Sequence, residues 1–471
     1  HGRRVGEGTR VWSDGLRYEG SWDGVRSGKG LLEVPNGDRY EGEWKRDMPD
    51  GQGVWKYASG DEYVGELKSG KRSGNGTFVS ATGDRYEGHW EDDHQQAEGT
   101  ATYANGEVYE GMWEGGLRGG RGFCVFANGD KYDGEWRQDR PEGSGTCSYA
   151  SGERYDGFWL QGARCGHGSC SWPDGTAYQG EWQADMRDGS GTCIYPSGNV
   201  YAGEWSRDRR HGMGNYVFHA PPATDAQYLP GEGEKSTTAS SAATPQPGNT
   251  FDGHWEDDVM SGMGECVYSN GDHYVGMWDK GTKSGDGTMH YFSGSRYSGQ
   301  WSRDEREGHG TYVDISGNEY EGAWLEGMQD GQGTCRFVNG DVYVGDWRQG
   351  QREGQGNMAY ASGDRYEGSW SQSLRHGTGI LYSASGEMYE GQWLEDCREG
   401  VGMWNLPDGR AYEGDFVGGV PDGRGTMTYP SGDRYSGQWS QGLRHGNATF
   451  ATPDGSVHEG SWANDAQDGA G

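Results

Sequence analysis

The chain has 471 residues, a formal net charge of −32 and only 31% hydrophobic residues, while glycine alone supplies 91. So little apolar material excludes a string of conventional globular cores, and the acidic excess disfavours nucleic acid and anionic lipid as partners. An aromatic content of 13%, with 21 Trp and 29 Tyr, equally excludes a chain that is disordered throughout.

From the N-terminus, Gly6-Glu7-Gly8 leads to an aromatic-x-Gly-x-Trp group at Tyr18-Gly20-Trp22, and the same group returns as Tyr40-Gly42-Trp44. Its first residue recurs at positions 18, 40, 63, 86, 109, 132, 155, 178 and 201, then at 251, 274, 297, 320, 343, 366, 389, 412, 435 and 458. Sixteen of these eighteen intervals are 23 residues, and the anchor glycine is present in all nineteen repeats. Leu67 and Phe416 are the two replacements for Trp. A fixed period of this length is the mark of a repeat architecture.

Each period predicts two strands and two turns. Asp38 to Trp44 alternates charged residues with Tyr40, Gly42 and Trp44, the period of two expected of a strand with one packed and one solvated face. A loop of about six polar residues, Lys45 to Asp50, is expected next, followed by a second strand from Gly51 to Tyr57. Ser59-Gly60-Asp61 is the expected tight turn, with Asn36-Gly37, Asn105-Gly106 and Asn339-Gly340 as its counterparts. The short interval from 18 to 40 is assigned to the polar loop. Glycine facing Tyr and Trp lets a ring lie over the neighbouring strand, so that a thin sheet closes without a second layer.

The interval from Tyr201 to Phe251 is 50 residues, a surplus of 27. The surplus runs from His219 to Asn249 through Pro221-Pro222 and Ser240-Ser241 to Pro245 and Pro247, and is expected to be a disordered excursion. The organisation is therefore repeats over 1–218, the excursion over 219–249 and repeats over 250–471, with either one sheet continuing through the excursion or two rods separated by it. The chain opens at His1 and closes at Gly469-Ala470-Gly471, both partway through a repeat, which suggests a section of a longer protein.

The 23-residue unit, with Tyr-Glu-Gly-x-Trp as at Tyr40 to Trp44 and Gly-x-Gly as at Gly51 to Gly53, closely resembles the membrane occupation and recognition nexus (MORN) repeat. The resemblance covers the chain outside the excursion. Departures are Leu67 and Phe416, His458 for Tyr, Ala97 for the first glycine of Gly-x-Gly and Ala448 for the second. It implies an all-β fold, an elongated, twisted antiparallel sheet of about nineteen consecutive hairpins forming a solenoid-like rod. Its members serve as cytoskeletal and ciliary scaffolds, junctional tethers or targeting modules beside enzymes, and many associate end to end.

No catalytic, cofactor or metal site is expected. Carboxylate pairs such as Glu41 and Glu43, or Glu413 and Asp415, stand roughly 6.5–7 Å apart on a strand, but recur on an open face with no pocket to raise one pKa. Cys124, Cys147, Cys170, Cys193, Cys266 and Cys335 share one repeat position, where other repeats carry Trp55, Phe78 or Met289, and are expected to pack as reduced thiols. Cys165 and Cys397 are placed in loops, and His167, His211, His376 and His445 in turns. Gly-x-Gly lacks the Gly-Lys-Ser/Thr ending of a phosphate loop. Arginines form rows in the loops (Arg140, Arg187, Arg306, Arg352, Arg398) and before the anchor (Arg39, Arg85, Arg154, Arg365, Arg434), placed to neutralise the glutamate rows.

The remaining candidate is a groove of rings along the packed face, formed by Tyr40, Gly42, Trp44, Tyr86, Trp90, Tyr132, Trp136, Tyr178, Trp182, Tyr297, Trp301, Tyr343, Trp347, Tyr389 and Trp393, which is open to a partner helix or peptide. The expected function is a non-catalytic scaffold for protein–protein interactions, cytoplasmic and cytoskeletal, in a cilium or flagellum. Terminal hairpins offer a route to self-association. A peripheral membrane tether and the targeting arm of an enzyme beyond the fragment are the alternatives; direct membrane binding is disfavoured by charge.

Overall fold

The computed structural model describes residues 4–219 and 248–468. Those residues form 39 strands and no helix. The Ala/Pro/Ser/Thr-rich surplus expected at 219–249 lies, except at its ends, outside the described residues. The chain divides into two units, residues 1–225 with 255–258 and residues 226–254 with 259–471. Within each unit, strands adjacent in sequence pair antiparallel, as Arg39–Lys45 does with Met48–Lys56, and Arg365–Ser371 with Leu374–Tyr382.

Strand lengths alternate between seven residues, as in Arg39–Lys45, and nine, as in Met48–Lys56. The expected turns are exchanged. The six-residue loop is in fact the tight turn, because the second strand begins at Met48 and only Arg46 and Asp47 connect it to Lys45. Both residues are left-handed, with φ of 53° and 70°, the backbone of a type I′ hairpin turn that matches the twist of the flanking strands. Asn-Gly is the usual signal for that geometry and is absent here, which hides the turn from the sequence. The Gly60 segment forms the longer link instead: Tyr57 N–H donates to the Asp61 carbonyl and Gly60 N–H to the Tyr57 carbonyl, each at 2.9 Å. The short first interval is absorbed at Gly24, where the Asp23 N–H donates to the Val25 carbonyl at 2.9 Å.

Each hairpin carries a bulge. Gly42 stands opposite Gly53 but Trp44 stands opposite Pro49, so the second strand holds two residues more than the first across this step. The first glycine of Gly-x-Gly bends the strand there, with φ of 113° at Gly51 and 58° at Gly74. The second glycine has a different role. It faces the anchor glycine directly, and a Cβ on Gly53 would stand only 2.4 Å from the ring and hydroxyl of Tyr40.

Candidate partner-binding groove

One face of each unit is filled by the aromatic rows. Tyr40 and Tyr343 are 0% exposed and Trp44 and Trp347 are 4% and 8% exposed. The anchor Tyr and the Trp four residues on lie edge to face, as Tyr132 on Trp136 (5.2 Å, 87°), and where the following repeat keeps Trp the Tyr meets that ring as well, as Tyr132 on Trp159 (5.3 Å, 84°). Phe416 preserves the pattern against Tyr389 and Tyr412, whereas Leu67 interrupts the series of rings.

The polar atoms of these rings are committed internally. The Tyr40 hydroxyl donates to the Glu43 carbonyl at 2.9 Å, the residue that the bulge skips in the register, and Tyr389 does the same to Gln392. Trp44 Nε1 donates to the Gly30 carbonyl at 3.1 Å, on the preceding strand, and Trp393 to Gly379. Burial pushes the Tyr86 and Tyr389 phenols up to about 12. The structure thus brings together within each unit the sequence-predicted ring residues of that unit, Tyr40, Trp44, Tyr86, Trp90, Tyr132, Trp136, Tyr178 and Trp182 in the first, and Tyr297, Trp301, Tyr343, Trp347, Tyr389 and Trp393 in the second, all buried.

The arginines assigned to loops lie in the second strands instead. Arg187, Arg306, Arg352 and Arg398 each stand one residue into the second strand on the ring face, and Arg26, Arg72, Arg118, Arg164, Arg210, Arg375 and Arg444 occupy the same place. The guanidinium of Arg72 lies 4.1 Å from the Trp90 ring centroid. Its Nε donates to Asp93 Oδ1 at 3.1 Å, and its Nη2 to the Asp93 carbonyl at 2.9 Å. Arg187 with Asp208, and Arg375 with Asp396, repeat this clamp. Arg140 is out of phase by one residue and exposed, because Pro141 takes the place opposite Trp136. The arginines before the anchor lie on the other face, where Arg39, Arg85 and Arg365 pair with Glu41, Glu87 and Glu367.

The six thiols sharing one repeat position are buried between Tyr residues, as Cys147 between Tyr132 and Tyr155. Burial raises Cys124 and Cys335 to about 11. Cys165 and Cys397 are in strands, not loops, opposite Phe158 and Leu394. His167, His211, His376 and His445 likewise belong to second strands, because those strands begin three residues earlier than the glycine pattern suggests. Among the described residues no group of three His, Cys, Asp or Glu could hold a metal ion, and no helix is long and apolar enough to cross a membrane.

The open concave surface is on the face opposite the rings. In the second unit a groove of about 840 Å³ runs across the strands, floored by the backbone of Gly345, Gly356, Gly368, Gly379 and Gly391. Val344, Asn357, Glu367, Ile380 and Glu390 form one wall, and Gln355, Thr378, Gln392 and Val401 the other. The first unit repeats it over Gly20, Gly30, Gly42 and Gly53, with about 980 Å³, between Glu19, Leu31, Glu41 and Val54 on one side and Lys29, Glu43 and Gln52 on the other. The sequence marked this face only as an open one without a pocket, carrying Glu41 and Glu43 at positions one and three after the anchor Tyr; the structure instead makes both carboxylates walls of the first unit's groove.

These features define a hairpin-repeat protein whose packed face is spent on its own cohesion and whose opposite face is open. The chain belongs to the MORN repeat family: that profile matches nineteen windows, from 1–17 and 18–39 through 201–219, and from 251–273 through 389–409, 412–434 and 435–457. No curated protein matches the chain significantly. Among solved structures it is similar to the TCP10 domain of Danio rerio CPAP at 18% identity, covering 42% of this chain and 94% of that one, with a TM-score of 0.25. The SAS-4 (dCPAP) TCP domain of Drosophila melanogaster, solved with a proline-rich motif of Ana2, gives 14% identity over 38% and 90% of the two chains and a TM-score of 0.23. Virginiamycin B lyase from Staphylococcus aureus gives 9%, 60%, 88% and 0.11 in the same order. Likenesses of this size carry no argument about function.

Proposed function

We propose that the chain is a non-catalytic scaffold that holds protein segments in the glycine-floored grooves, acting in the cytoplasm on the cytoskeleton of a cilium or flagellum. The observation that supports this best is the division of labour between faces: the rings are buried and hydrogen-bonded, while the opposite face carries a concave surface of mixed apolar, amide and charged side chains. Val344, Ile380 and Val401 offer apolar anchors, and Gln355 and Gln392 sit where a backbone or side chain can be hydrogen-bonded. A helix or extended peptide fits such a site without remodelling it.

Retention of the full chain by a detergent-insoluble cytoskeletal fraction, and loss of that retention on substitution T378R together with I380R, is the expected outcome. Thr378 is exposed but Ile380 only partly so on the groove face, so circular dichroism accompanies the comparison. Micromolar, salt-sensitive binding to phosphatidylserine or phosphoinositide vesicles, unaffected by the groove variant, would replace this reading with that of a membrane tether. The ion pairs already made by Arg39, Arg85 and Arg365 weigh against that second reading.

A further inference from the structure

One wall of the second unit's groove follows a rule. Glu367 stands opposite Ile380, Ile380 opposite Glu390, Glu390 opposite Met403 and Met403 opposite Glu413, each on the next strand. The open face therefore carries carboxylate and apolar side chains in alternation, at steps of one strand or about 4.8 Å. Two of the carboxylates lack the usual neutralising neighbour. Arg365 precedes the anchor of its repeat and pairs with Glu367 at 3.2 Å, whereas Met388 and Ala411 hold that place in the next two repeats. Glu390 and Glu413 are exposed and form no ion pair with any described residue. Among the described residues lining the groove none is basic, and Arg424 belongs to the other wall, where its N–H donates to Asp415 Oδ2 at 2.7 Å.

We propose that this wall binds an extended segment of a protein partner in the polyproline II conformation, with Lys or Arg at every third position and apolar residues between. The inference rests on the groove reading above. Width excludes a helix from the floor. The trough separates side chains two positions apart on one strand, Glu367 from Ser369 and Glu390 from Gln392, which is roughly 6.5–7 Å. An α-helix with its side chains is about 10–12 Å across.

Length sets the period. Successive carboxylates of the wall are two strands apart, about 9.6 Å. Polyproline II rises about 3.1 Å per residue with three residues per turn, so every third side chain returns to the same side after about 9.3 Å. A β-strand has nearly the same rise but alternates its side chains, which turns its third residue to the opposite face. In the polyproline II register one cation meets each of Glu367, Glu390 and Glu413, and the residues between meet Ile380 and Met403, the latter 39% exposed. That conformation makes no internal hydrogen bonds. Gln392, held by accepting from Val401 N–H at 3.2 Å, keeps its Nε2 to donate to a ligand carbonyl. The first unit repeats the alternation at Glu19, Leu31, Glu41 and Val54, but Arg17 and Arg39 already pair with its carboxylates, which makes the second unit the site.

The test is fluorescence anisotropy of the full chain with a labelled peptide of three Arg-Pro-Val repeats, against the same residues with the arginines contiguous. The spaced peptide is expected to bind about tenfold tighter, the sum of several exposed ion pairs, and the advantage should shrink as salt is raised. E390Q with E413Q, both exposed, is expected to abolish that advantage with the circular dichroism unchanged. Equal affinity of the two peptides, or a preference that survives E390Q with E413Q, overturns the proposal. Tighter binding of an alanine-rich helix of the same charge does so as well. If cytoskeletal retention is still lost in T378R with I380R, such a result leaves the groove function standing; if retention is unaffected, both readings fall.

Discussion

Ala97 occupies the bulge position that glycine holds in the other repeats, and its backbone remains left-handed at φ 52°. A Cβ in that region costs roughly 1–2 kcal/mol. The substitution A97G is therefore expected to stabilise its hairpin by about 1 kcal/mol after the entropy of the added glycine is counted, seen as slower amide hydrogen exchange across His94–Thr102. Slower exchange confined to distant repeats, or none, would contradict the strain argument. Ala448 departs differently: it takes the position beneath a ring, and Tyr435 above it is still 0% exposed and still donates to the Gln438 carbonyl at 2.9 Å. The two glycines of Gly-x-Gly are thus kept for unlike reasons, one for its dihedral angle and one for the room it leaves.

Hairpins are tied to their successors at the tight-turn end, and in about half of the repeats at the other end of the strands as well. At the tight-turn end Arg72 holds Asp93 through its backbone N–H (2.9 Å), Nε and Nη2. At the other end the Asp61 carboxylate accepts from Ala81 N–H at 2.7 Å, as Asp38 does from Ala58 at 2.8 Å. D93A removes the first tie and leaves Arg72 without its carboxylate; with the Asp93 side chain 45% exposed, solvent moderates the loss to about 1–2 kcal/mol. The check is faster hydrogen exchange in the strands on either side of this turn, with repeats elsewhere unchanged. Hairpin existence, strand alternation and the packed face were legible because Tyr, Gly and Trp repeat at fixed offsets. The turns were misplaced because Arg46-Asp47 carries no glycine, while Gly60 marks a link that has one. The clamp was hidden because Arg72 and Asp93 lie 21 residues apart, a pairing visible only once the register is known.

Across a whole unit, the buried phenols set the response to alkali. Tyr18, Tyr86, Tyr297 and Tyr389 stand at about 12 in the fold against an ordinary value of 10.0. A raised folded pKa means that the protonated form is favoured by folding, so this stability is complete below pH 10 and falls as pH climbs toward 12. Circular dichroism should hold to about pH 10 and then be lost over the next two units, together with a rise in phenolate absorbance; normal phenolate titration beneath an unchanged fold would contradict the burial. The ties between neighbouring hairpins also bear on synthesis. Arg72 and Asp93 are 21 residues apart, Asp61 and Ala81 20, so a hairpin can be docked once the following repeat has left the ribosome. At about 5–20 residues per second, a new repeat emerges every few seconds, far slower than the microseconds in which a hairpin forms. The chain can therefore fold by accretion during translation, each finished repeat serving as the template for its successor.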